Sequence, residues 1–236
     1  MEKTLNQLVE KLQKAYGDKL VSVILYGSGA VGDHHGRFSD LNIFCALKCI
    51  TPDELRAAEP VFRWWSELRN PAPLLMGVDE VPVSTDCFPI EFHDIKARHR
   101  ILFGADIVSS LSIDYRYHRA QVEHELRAKL LRLRQKAGSV LSDNQLLLRL
   151  MVDSVSTFAT LFRHALLLAG FEAKWHKREV FEEAAAHFAI DPAPFVALLD
   201  VREEKLKARD ADPLGLFGKY LRQIETVIEA VDRLER

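Results

Sequence analysis

At 236 residues the chain is long enough for one large domain or two modest ones, each with a hydrophobic core. Hydrophobic residues make up 48%, charged residues 28%, and the net charge is −2, so nothing global drives the chain toward nucleic acid or an anionic membrane. The most apolar stretch, residues 146–168, carries Arg149, Asp153, Arg163 and His164, and no charge-free run reaches the length of a bilayer span. No membrane partner is therefore expected. Met1-Glu2-Lys3-Thr4 reads as the start of an amphipathic helix rather than a signal peptide, which makes the cytoplasm the expected address. Cys45, Cys49 and Cys87 are odd in number and lack a paired metal-ligand spacing, and Cys45 reads as a small core residue.

The first hundred residues alternate helix and strand. Leu5, Leu8, Val9, Leu12 and Ala15 recur at helical spacing and predict a helix over 3–16, stopped by Gly17-Asp18. Residues 21–26 and 41–47 read as buried strands. Thr51 is a good N-cap before Pro52, and the helix it opens should run to about residue 68. Asn70-Pro71-Ala72-Pro73 breaks that helix ahead of a third strand at 74–78. A fourth strand is expected over 88–95, where Ile90 and Phe92 alternate with Glu91 and His93.

The second half is helical. Residues 115–136, 143–169, 177–188, 192–207 and 214–234 all carry helical patterns, separated by short loops with breakers. The 143–169 helix is apolar on nearly all sides, as the central helix of a bundle should be. The order predicts an α+β chain: a mixed sheet with flanking helices over 1–110, then an all-α bundle over 111–236.

The richest chemistry lies between the first two strands. Leu25-Tyr26-Gly27-Ser28 ends a strand in a small-residue turn whose backbone N–H groups can cradle a polyphosphate. Ser39-Asp40-Leu41-Asn42 opens the next strand, and its alternation places Asp40 and Asn42 on one face. Two oxygen donors so placed can hold Mg²⁺ against the polyphosphate.

Tyr26-Gly27-Ser28-Gly29-Ala30-Val31-Gly32, followed after Gly-Ser by eleven residues and then Asp40-Leu41-Asn42, resembles the polymerase-β-like nucleotidyltransferase superfamily. The bundle is similar in architecture to the helical domain of its kanamycin-type and minimal members. The resemblance implies that Gly27 and Ser28 hold nucleotide phosphates, that Asp40 and Asn42 are metal ligands for Mg²⁺, and that a third acid joins them as ligand or base. Glu91, an acid between apolar residues, is the choice for that role, with Asp94 in reserve. Arg37 is the cation expected near the nucleotide, because Val31 stands where many members carry arginine. Asn42 replaces the second aspartate, which leaves two readings open. One is transfer of a nucleoside monophosphate from an NTP to an unidentified acceptor hydroxyl. The other is a catalytically impaired member that binds nucleotide or a protein partner, as an antitoxin does.

Other features carry blander expectations. His34 and His35 read as exposed loop residues facing the phosphate turn. Helix 115–136 carries Arg116, Arg119, Arg127, Lys129, Arg132, Arg134 and Lys136 against Glu123 and Glu125. That stripe could bind nucleic acid but reads first as a solvated face paired with acids elsewhere. Arg119 and His124 also match a short ribonuclease spacing that arises easily by chance. The cluster 174–178 reads as a loop and helix start. Of Trp64-Trp65, one indole belongs in the core and the other over a domain or subunit contact, such as a homodimer would use.

Overall fold

The structure, a computed structural model, describes residues 1–31, 41–172, 174–206 and 212–234, the side chains of Ser28, Val31 and Tyr115 apart. The chain divides into two compact units, Met1–Tyr115 and Arg116–Arg236.

The first unit is a mixed four-stranded sheet with helices on both faces. β1 (Leu20–Tyr26), β2 (Asn42–Leu47), β3 (Leu74–Gly77) and β4 (His99–Gly104) lie in the order β3-β2-β1-β4. β1 pairs antiparallel with β2 and β4, and β3 joins β2 in parallel through a helical crossover. That crossover is α2 (Pro52–Glu67), opened by a capping box in which Thr51 and Glu54 satisfy each other's end of the first turn. α1 (Glu2–Tyr16) and α2 bury Leu5, Leu8, Leu12, Ala58, Val61 and Trp65 against the face of Val23, Leu25, Ile43 and Cys45. Burial alone lifts the Cys45 thiol to about 12, consistent with a core residue. Trp65 is fully buried, while Trp64 is half-buried with the Lys11 ammonium over its ring.

The expected strand at 88–95 is instead α3 (Pro89–Ala97). Pro89 suits a first helical position, and Phe92 and Ile95, three apart, are the most deeply buried of the four residues the helix buries. Phe92 meets Phe44 edge to face at 6.3 Å and packs with Ile24, Ile95 and Val108 on the opposite sheet face. The fourth strand lies further on, as β4.

The second unit contains α4 (Tyr115–Ala137), α5 (Asn144–Leu168), α6 (Lys177–Phe188), α7 (Ala193–Arg202) and α8 (Pro213–Arg233). Asp143 caps α5 by accepting from the N–H groups of Gln145 and Leu146. By length and composition α5 could cross a membrane, but in the bundle it packs against α6, α7 and α8. Phe158, Phe162, Phe181, Phe195 and Tyr220 form the aromatic centre of that packing. α7 ends before the expected residue 207: Glu203 caps it and Glu204 turns to φ 60°. A buried polar pair, His118 and His164, joins α4 to α5 through Nε2···Nδ1 at 2.8 Å.

Candidate active site

β1 hands its chain to a single 3₁₀ turn, Gly27–Val31. Gly27 has φ +74°, a region an L side chain enters only at a cost, and its N–H donates to the Arg98 carbonyl at 3.0 Å. Gly29 fills a space where a Cβ would lie 3.2 Å from Leu41 Cδ2 and 3.5 Å from Leu25 Cδ1, so a small residue lets the turn lie flat on the core. Of the phosphate pair expected from the sequence, Gly27 is therefore fixed in backbone and packing, and Ser28 follows within the turn.

Asn42 begins β2 and stands opposite Tyr26 in the β1–β2 ladder, while His99 stands opposite Tyr26 in the β1–β4 ladder. Directly opposed residues share a face, so Asn42, Tyr26 and His99 form one row across the end of the sheet. Two residues along each strand stand Phe44, Ile24 and Ile101, which marks this as the face covered by α3. The row ends beside the Gly27–Val31 turn: the Asn42 amide lies 3.4 Å from where a Cβ on Gly27 would sit.

Glu91 and Asp94, three apart on α3, share a helix face. Burial first, then the carboxylates of Glu91 and Asp94, raise the Tyr26 hydroxyl to about 12. Tyr26 is thus the common neighbour of Asn42, across the sheet ladder, and of the two acids. The acid expected from the sequence reaches this end of the sheet from a helix, where it is exposed. Arg37, Asp40, His34 and His35 lie outside the described residues.

The Asn42 amide and the Glu91 and Asp94 carboxylates offer oxygen donors of the hard kind Mg²⁺ takes. Among the described residues no three His, Cys, Asp or Glu side chains stand together as a metal cluster. Beyond Tyr26, His99 at the far end of the row reaches Ser109 Oγ at 3.4 Å and Asp106 at 3.7 Å. Sequence reasoning gave no role to Tyr26, which faces Asn42 in the β1–β2 ladder, or to His99, whose place in the row required β4 to be placed.

The basic helix α4 is largely matched by acids. Glu123 takes Arg119 at 3.1 Å and Arg127 at 2.9 Å, Glu125 takes Lys129 at 3.3 Å, and Glu225 of α8 takes Arg134. Arg119 is thus engaged with Glu123, while His124 is exposed beside Glu125.

No family model and no curated protein matches the chain. Among solved structures, spectinomycin adenyltransferase AAD(9) from Enterococcus faecialis, crystallised with ATP and spectinomycin, is similar over 98% of this chain and 99% of its own. The TM-score is 0.62 at 12% identity. A toxin–antitoxin structure with AMP-PNP matches 43% of this chain and 74% of its own at 19% identity, and its TM-score of 0.31 is too low to carry an argument. At such identity the likeness is one of fold: the chain shares with that adenyltransferase a mixed four-stranded sheet with flanking helices followed by an all-helical C-terminal region.

Proposed function

We propose that the chain transfers a nucleoside monophosphate from an NTP to an acceptor hydroxyl. The observation that carries this reading is the pairing of Asn42 with Tyr26 beside Gly27, on the sheet face that α3, with Glu91 and Asp94, covers. ATP is the first nucleotide to test, because the similar adenyltransferase was solved with it.

In this reading the backbone of Gly27 and Ser28 takes the triphosphate, and Arg37 supplies a cation beside it. Asp40, Asn42 and Glu91 would hold Mg²⁺, whose donor preference their oxygens fit. When bound, the ion would neutralise charge on the phosphates during transfer. Glu91, or Asp94 one helical turn on, takes the proton from the acceptor hydroxyl. The acceptor oxygen forms its bond to the α-phosphorus, the α–β bridging bond breaks, and pyrophosphate leaves. Burial of Tyr26 against the two acids keeps its hydroxyl protonated at neutral pH, available as a hydrogen-bond donor.

Asn42 favours a second reading, in which the same site binds nucleotide or a protein partner without turnover. Its neutral amide gives a cation less attraction than a second carboxylate would. Incubation with α-labelled ATP, Mg²⁺ and a panel of hydroxyl acceptors separates the two. Label transfer that Asp40→Ala abolishes supports the transferase. Nucleotide binding without transfer, with transfer appearing only in Asn42→Asp, supports the impaired member.

A further inference from the structure

We infer that Asn70 is a positioning residue for the metal-binding end of β2. Its side-chain Oδ1 accepts a hydrogen bond from the Leu41 N–H at 3.2 Å, across 29 residues of sequence. Leu41 directly precedes Asn42, the first residue of β2, so a hold on its backbone fixes the entry of that strand. Leu41 is 6% exposed and lies upstream of the β2–β3 ladder, whose first pair is Phe44 with Leu74. The sheet itself supplies no β3 partner at that point, and the Asn70 amide stands in for one.

Asn70 is itself held. Its own N–H donates to the Trp65 carbonyl at 3.4 Å, and the carbonyl of the next residue, Pro71, accepts from Trp65 Nε1 at 2.9 Å. Trp65 is fully buried between α1 and the sheet, so the turn after α2 is tied to the core on both sides of Asn70. Arg69 enters this turn with φ 65°, where the chain leaves the helix on its way to β3. A buried indole thus anchors a side-chain carbonyl, which in turn anchors the backbone at Leu41, one residue before Asn42.

The inference rests on the metal-nucleotide reading above, and its test separates the two. Full-length wild type, Asn70→Ala and Asn70→Asp are titrated with ATP over a Mg²⁺ series by calorimetry. Leu41 amide exchange is followed by NMR in the same proteins. The expected result is a Mg²⁺ requirement raised about fivefold in Asn70→Ala, the effect of one hydrogen bond, with faster Leu41 exchange. Asn70→Asp, which keeps the acceptor oxygen, returns both to within about twofold of wild type. Where Asn70→Ala does not fold, Asn70→Gln, which keeps the amide but moves its oxygen, should show the same raised requirement. An unchanged Mg²⁺ requirement in a variant with faster Leu41 exchange overturns the inference and leaves the functional reading standing. Equal weakening of ATP binding with and without Mg²⁺ also overturns it, since a merely structural role predicts that. Wild type that binds no Mg²⁺-ATP removes the functional reading and the positioning role with it.

Discussion

Tyr26 and Asn42 face each other across the β1–β2 ladder, the one just before the Gly27–Val31 turn and the other at the first residue of β2. The pairing ties the polar start of β2 to the end of β1, so neither can shift register without moving the other. It also places the neutral amide of Asn42 on the sheet face covered by α3, which carries Glu91 and Asp94.

The nearness of the α3 acids to Tyr26 has a spectroscopic consequence. Tyr26 should ionise at about 12, above the ordinary value of 10.0, because burial and two nearby negative charges oppose a phenolate. Difference absorbance titration of wild type against Tyr26→Phe isolates this group. Glu91→Gln with Asp94→Asn should move its midpoint down toward the ordinary value. A midpoint that the double variant leaves unchanged would place the acids elsewhere.

Gly27→Ala separates backbone strain from crowding. The added Cβ would meet Asn42 at 3.4 Å, an ordinary contact, so packing costs little. The φ of +74° costs an alanine about 1–2 kcal/mol, and that effect should dominate. Urea unfolding should show a loss of this size. ATP affinity should fall with it if the turn relaxes, and a fully stable variant would contradict the assigned backbone.

Glu54 predicts part of the acid limb of stability. A hydrogen bond from Lys19, then those from Thr51, hold its carboxyl at about 2 against an ordinary 4.5. A folded value below the unfolded one stabilises the fold fully above about pH 4.5, and that contribution disappears as pH falls toward 2. Glu54→Gln should therefore be less stable at pH 7 and show a flatter loss between those limits. Urea midpoints measured at a series of pH values provide the check, and parallel curves for the two proteins would count against it.

Much of this was legible in the sequence, for local reasons. Thr51 and Glu54 announce the start of α2 because a capping box is short-range chemistry. Gly27 and Asn42 are marked by the strand, turn and strand around them. Residues 88–95 misled because Ile90 and Phe92 alternate with polar neighbours over a window too short to separate periods of 2 and 3.6. Pro89 at the first helical position was the better signal. The row of Asn42, Tyr26 and His99 depends on register between three strands, and the Asn70–Leu41 bond on a crossover that brings distant residues together. Neither relationship leaves a periodic trace along the chain.

The end of the sheet marked by Gly27 and Asn42 is proposed as a Mg²⁺-nucleotide site. Calorimetric titration of the full chain with ATP, with and without Mg²⁺, tests it most directly in wild type, Asp40→Ala and Asn42→Asp. Mg²⁺-dependent binding is expected in wild type, its loss in Asp40→Ala, and tightening by about tenfold or more in Asn42→Asp, which adds a second carboxylate. Binding that ignores both Mg²⁺ and the Asp40→Ala change, or no binding in any of the three, would contradict it.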